Sequence, residues 1–259
     1  MSDERVGYSQ TFRKAASAAE YERFYTPGTA DHAVWTHERE ILADLLARHR
    51  ADWPACDYLD FACGTGRVIE FMESRVSKSQ GIDTSPEMLR VAATKLQRSE
   101  LICTDITTSG APEGRYDLIT AFRFFLNAEP PLRVAVMRAL AFRLKNPQSL
   151  LVFTNHGNPF SYKAVAWPIH RTRQLLFGRR PAGNYLTHRQ IKHLLDESGL
   201  QIVERFGCGL ISPRLFKIAP STAGSIERRL DCGALARAIG VNQIYVVGKK
   251  FPQCKRLSP

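Results

Sequence analysis

Tyr58-Leu59-Asp60-Phe61-Ala62-Cys63-Gly64-Thr65-Gly66-Arg67 reads as the end of a buried strand that runs into a glycine-rich turn and opens a helix. Such a turn brings backbone N–H groups to face a ligand at the carboxyl edge of a parallel sheet. Gly64 and Gly66 carry no Cβ, so the chain can bend sharply there and approach a ligand closely. Two further stretches follow at matching distances. Gln80-Gly81-Ile82-Asp83-Thr84-Ser85-Pro86-Glu87-Met88-Leu89 is a second strand ending in an acid, followed by a Ser-Pro-Glu helix start. A carboxylate at Asp83 suits the two hydroxyls of a ribose, because it accepts both protons at once. Leu101-Ile102-Cys103-Thr104-Asp105-Ile106 is a third short strand, with Asp105 placed to receive the exocyclic amine of an adenine. Glycine turn, ribose acid and adenine acid, in this order, describe a site for an adenosine-bearing cofactor.

On these residues, with Tyr116-Asp117-Leu118-Ile119, the chain resembles the class I S-adenosylmethionine-dependent methyltransferases, well over roughly residues 56 to 156 and more loosely elsewhere. The nicotinamide fingerprint fits worse, since its third glycine would fall on Ile69, too large for close helix–strand packing. The resemblance implies an α/β, Rossmann-like, doubly wound sheet of seven strands, mostly parallel with one antiparallel edge strand, and helices on both faces. It implies S-adenosyl-L-methionine as cofactor and S-adenosyl-L-homocysteine as product. It assigns Asp60 to the cofactor loop, Gly64 and Gly66 to close backbone approach, Asp83 to the ribose and Asp105 to adenine. Thr84, Ser85 and Met88 would flank the adenine, and Ala62, Thr104, Ile106 and Phe122 complete the set. Arg67 has two roles open to it, anchoring the cofactor carboxylate or capping the turn.

Composition sets outer bounds. At 259 residues, with 44% hydrophobic and 24% charged residues, the chain can bury a full core and fits one large domain. No apolar run of about twenty residues marks a membrane span, and the charged start Met1-Ser2-Asp3-Glu4-Arg5 lacks an apolar signal core, so a cytoplasmic location is expected. The six cysteines form no CxxC pair, which argues against zinc or a disulfide framework; no metal is expected. Cys63, although in the turn, reads as a small packing residue. The formal charge of +11 favours an anionic partner such as nucleic acid, a phosphorylated or carboxylated metabolite, or an acidic membrane surface. It does not choose among them, and a neutral substrate is also compatible with it.

Around the cofactor core the chain divides into residues 1–50, 56–156 and 157–186. Tyr8 to Tyr25 has a helical look around Ala15-Ala16-Ser17-Ala18-Ala19-Glu20, and Asp31 to Arg50 is an amphipathic helix with Val34, Ile41, Leu42, Leu45 and Leu46 at helical spacing. By the resemblance these N-terminal helices form a lid, with Tyr21, Phe24 and Tyr25 covering the methionine end of the cofactor or simply packing the lid to the body. The transferable methyl would lie at the end of the fourth strand (Tyr116 to Phe122), beside Arg123 and Asn127. The Asp/Asn-Pro-Pro-aromatic motif of the adenine methyltransferases is absent from that position, which argues against base or glutamine N-methylation. The fifth strand (Ser149 to Thr154) ends in Asn155 and His156, which would converge on the same cleft. His156 is the candidate general base, since its ordinary pKa lies near neutrality; the alternative is a histidine bonded into a loop. Arg123 is placed either to bind an anionic acceptor bidentately or to pair with an acid. Residues 160–186 carry Arg171, Arg173, Arg179 and Arg180 around Leu175-Leu176-Phe177, an insertion expected to shape the acceptor site or to form a solvated basic face. Thr187 and Gln190 form a capping box for a helix that stops at Gly199. A helix from Thr222 to Ile239 and a last strand from Asn242 to Lys249 close the chain.

The expected reaction is in-line transfer of a methyl group to an oxygen or nitrogen of a small-molecule or glycan- or lipid-linked acceptor. Two other readings compete with it. One is an RNA methyltransferase, favoured by the charge and opposed by the lack of an RRM or KH motif. The other is a non-catalytic protein that binds the cofactor without an acceptor.

Overall fold

Seven strands form one sheet: β1 (Asp57–Phe61), β2 (Lys78–Asp83), β3 (Glu100–Cys103), β4 (Leu118–Ala121), β5 (Leu150–Asn155), β6 (Leu200–Cys208) and β7 (Asn242–Lys249). The computed structural model describes residues 15–49, 53–108, 113–161, 186–210 and 233–250, with isolated positions between them. The strand order is β3-β2-β1-β4-β5-β7-β6. Strands β1 to β5 pair in parallel, and β7 runs antiparallel to both its neighbours, β5 and β6. The expected antiparallel strand is therefore β7, lying one place in from the edge that β6 forms. Composition explains the placement: β7 carries the buried run Ile244-Tyr245-Val246-Val247, whereas β6 carries Glu204 and Arg205, which a strand with one open edge tolerates.

Alternate residues of each central strand feed two cores. Leu59, Ile119, Leu151 and Val247 face one side, packed by Val136, Met137 and Leu140 of α5 (Pro130–Arg143) and by Ile191 and Leu195 of α6 (His188–Glu197). Tyr58, Leu118, Val152 and Val246 face the other, under Leu42 and Leu45 of α2 (Ala30–His49) and Ile69 and Met72 of α3 (Arg67–Met72). The period of two along the strands is what places helices on both faces. Helix α1 (Ala15–Phe24) precedes α2, α4 (Pro86–Ala93) links β2 to β3, and α7 (Ala234–Ile239) precedes β7.

Local signals decide most helix ends. Ser85 caps α4 by accepting the Met88 N–H, with proline in the first turn; Thr187 and Gln190 make both bonds of a capping box at α6. Helix α4 stops at Ala93, and beyond it Glu73 takes the backbone N–H groups of Gln97 and Arg98 at 3.2 Å each. Of the helix expected from Thr222, the stretch Ala234–Ile239 is seen. Thr222, Ser225, Ile226 and Arg229 are helical as well; the residues between them, and Arg171, Arg173, Arg179 and Arg180 of the basic insertion, lie outside the described residues.

Candidate active site

Strand β1 sits where the order reverses, between β2 and β4, so the carboxyl ends of these strands open a crevice. The cleft there measures about 850 Å³ including its mouth. Twelve of the residues singled out from sequence line it: Tyr21, Ala62, Gly64, Asp83, Thr84, Met88, Thr104, Asp105, Ile106, Phe122, Arg123 and Asn127. Register explains the convergence, because Asp60 pairs with Gly81 and with Thr120, and Asp83 with Cys103. The residues just beyond the strand ends are thereby brought to one edge.

Asp83 shapes the floor. Its Oδ2 accepts the Gly64 N–H at 2.8 Å and its Oδ1 the Ser85 N–H at 2.9 Å, tying the glycine turn to the start of α4. Burial pushes its carboxyl up, against the backbone donors Ser85, Gly64 and Thr84. Each oxygen keeps a lone pair for a ligand hydroxyl. Asp105 accepts both the backbone N–H and the hydroxyl of Thr107 on Oδ1, at 2.9 and 2.7 Å, which leaves Oδ2 for an amine. Gly64 has open space where a Cβ would stand.

Several expected residues act from behind the cleft wall. Gly66 has φ 85°, and a Cβ on it would come within 2.9 Å of the Ala92 Cβ; its bareness seats the turn against α4 rather than against a ligand. Asp60 is buried, accepting the Thr120 hydroxyl at 2.7 Å and the Ile69 N–H of α3 at 3.1 Å. It holds the turn from beneath. Burial lifts its carboxyl to about 7, although Thr120, Arg67 and Ile69 pull it down. Arg67 makes no hydrogen bond to the turn among the described residues. Its guanidinium lies 3.9 Å from the Tyr25 ring centre and 4.7 Å from that of Trp35, with Nε and Nη1 buried and without partners.

Tyr21 of α1 lines the cleft, and α2 stands behind its Arg123 wall. Tyr21 and Tyr25 have their hydroxyls 3.3 Å apart, and burial, with Tyr25, drives the Tyr21 phenol well above its ordinary pKa. Arg123 follows β4 with φ 63°, its N–H donating to the Thr154 hydroxyl at 2.8 Å and its carbonyl accepting from the Asn127 side chain at 2.8 Å. Its guanidinium reaches Asp31 at 3.4 Å and Glu38 at 3.7 Å, so it pairs with acids of α2. Burial works against its charge, but Glu38 foremost, then Tyr25, Tyr21 and Asp31, stabilise it.

Asn155 and His156 stand outside the lining. The Asn155 side chain is occupied in the fold, donating to the Leu186 carbonyl at 2.7 Å and accepting the Gly157 N–H. Four lining residues escaped the sequence reading: Phe61, Phe124, Leu132 and Val136. Leu132 and Val136 are four apart on α5, so the helical period carried a signal. Phe61 and Phe124 begin an aromatic row, 4.8 Å between centres, that runs through Phe125 and Phe153 to Tyr245.

The open turn, the spare carboxylate lone pairs of Asp83 and Asp105 and the orphaned guanidinium atoms fit an adenosine linked to an amino acid. Solved structures share the fold. The magnesium protoporphyrin IX methyltransferase of Synechocystis PCC 6803, with bound S-adenosylhomocysteine, superposes with TM-score 0.63 at 16% identity, covering 93% of this chain and 97% of that one. A possible histamine N-methyltransferase of Thermotoga maritima gives 0.62 at 12% identity over 92% and 97%. The putative methyltransferase of Haloferax volcanii in complex with the Trm112 activator is also similar at 17% identity, with TM-score 0.55 over 91% and 93%. No curated protein matches by sequence. The model of the methyltransferase domain matches residues 34–205, well over half of the chain, and the protein belongs to this family of S-adenosylmethionine-dependent methyltransferases.

Proposed function

We propose that the enzyme methylates a nitrogen or oxygen of a small-molecule or carrier-linked acceptor in the cytoplasm, with residues 1–50 as lid over one catalytic domain. The observation that carries this reading is the cleft wall: Tyr21, Arg123 and Asn127 line the same cleft as the residues fitted to the cofactor, polar groups that a small acceptor would meet beside it. The similar structures whose names give an acceptor act on a porphyrin and possibly on histamine, both small molecules. Bound S-adenosylmethionine supplies an electrophilic methyl and departs as a neutral sulfide. The protein has no developing anion to stabilise, so its contribution is alignment and exclusion of water. Asp83 holds the ribose hydroxyls, Asp105 the adenine amine, and Arg67 the carboxylate. Both lining carboxylates already take hydrogen bonds from the chain. That favours an acceptor arriving with a free lone pair, an unprotonated amine or an ionised oxygen. A hydroxyl acceptor would call on His156.

The test is incorporation of labelled methyl from S-adenosylmethionine into fractionated small molecules, carrier-linked metabolites and RNA. Label confined to RNA, together with a steep fall of RNA affinity with salt, would replace this reading by the RNA one that the charge of +11 favours.

A further inference from the structure

Glu38 is a carboxylate with no exposed surface on α2, the helix behind Arg123. Its Oε1 accepts the Asn242 side-chain N–H at 2.6 Å, and the same oxygen lies 3.7 Å from Arg123 Nη2. Arg123 is itself a wall of the cleft that Gly64 and Asp83 floor. A guanidinium in that wall and a sulfonium in the same cleft are like charges in a mainly apolar enclosure, where Coulomb energies are several times their value in water. Asp31 also touches Arg123, but its side chain is 42% exposed and solvent screens it. Arg67, stacked between rings, answers the cofactor carboxylate in that reading, and Asp60 is a buried residue of β1 bonded to Thr120 and Ile69. The buried charge that answers Arg123 is that of Glu38.

We propose that Glu38 is a positioning residue that cancels the Arg123 charge and so lets the cleft hold a cationic cofactor in preference to its neutral product. The inference rests on the reading that S-adenosylmethionine binds beside Arg123. Transfer of the methyl turns a sulfonium into an uncharged sulfide. A charge at Arg123 therefore acts on the two ligands differently, whereas a packing defect acts on both alike.

The experiment is calorimetric titration of wild-type protein, E38Q and the double variant E38Q/R123Q with S-adenosylmethionine and S-adenosylhomocysteine. The E38Q change keeps the side chain's shape and its acceptor for Asn242 but leaves Arg123 uncompensated. The preference for sulfonium over sulfide should fall roughly tenfold, the effect of a unit charge about 10 Å away at an effective dielectric near 20. Removing both charges should restore the ratio to within about threefold of wild type, and such neutral replacements of buried pairs usually fold well. Equal weakening of both ligands in E38Q, or a ratio that the double variant fails to restore, overturns the proposal. If E38Q does not fold, R123Q decides: the sulfonium must gain on the sulfide, and an unchanged or lower preference refutes the idea. Wild-type protein that binds neither ligand would instead sink the cofactor assignment.

Discussion

Replacing Asp60 by asparagine should make the protein's stability less sensitive to pH, in a direction opposite to that of an ordinary ion-paired acid. The carboxyl is buried between the Thr120 hydroxyl and the Ile69 N–H, and burial raises it from 3.8 to about 7. Because the folded value lies above the unfolded one, the native state keeps this proton over that interval while the unfolded chain releases it. Its contribution is fully present below about pH 4 and is lost as pH rises through 7. Between pH 5 and pH 8 the loss spans about 2 pH units at 1.36 kcal/mol each, or about 2.7 kcal/mol. Asparagine accepts from Ile69 and donates to Thr120 without ever ionising. Urea denaturation of both proteins at pH 5 and pH 8 isolates the effect, because Glu204 and Asp196, whose pKa values are lowered, titrate in both alike. The variant should gain about 2–3 kcal/mol on the wild type in going from pH 5 to pH 8. A variant that instead loses ground at pH 8 would show that the charged carboxylate is the favoured form, with the turn's N–H groups and Arg67 outweighing burial.

Asp83→Ala should weaken S-adenosylmethionine binding by at least about thirtyfold, the loss of a charge-assisted pair of hydrogen bonds, measured by calorimetry; unchanged affinity removes the ribose role. Gly66→Ala should cost about 2–3 kcal/mol in chemical denaturation, combining a left-handed backbone at φ 85° with a 2.9 Å approach to Ala92, and a neutral result would mean that the turn shifts freely. Thr187→Ala should lower stability by about 1 kcal/mol through loss of the capping box while leaving cofactor affinity intact, since no residue of α6 lines the cleft; a drop in affinity contradicts that separation.

The cofactor half of the site was legible because each of its parts is local. A strand ending in an acid, a turn needing bare glycine and a capped helix recur within about thirty residues of each other. Parallel pairing then brings Ala62, Asp83, Thr104 and Phe122 to one edge without further information. Gly66 shows the limit of that reading. The pattern marked the need for glycine, but a contact with Ala92, at the far end of α4, supplies the reason. The inward place of β7 was less legible, since its pairing partners on either side are set by competition between strands for burial.

The acceptor half resisted sequence reading for the same reason, taken further. Arg123 meets Asp31 across 92 residues, and Glu38 meets Asn242 across 204. The period of α2 sets Glu38 four residues from both Val34 and Leu42, on the apolar face where it is buried, but it carries no sign of the distant partners Arg123 and Asn242. Long-range contacts of this kind connect α2 to the residue after β4 and to the start of β7, while Asp60 and Asp83 hold the cofactor floor by bonds to Ile69 and Gly64, 9 and 19 residues away. The two halves are therefore mechanically separable. Substitutions at Tyr21 and Asn127 can reshape what enters beside the methyl without disturbing the hydrogen bonds of the glycine turn, so acceptor choice should change there while cofactor affinity persists.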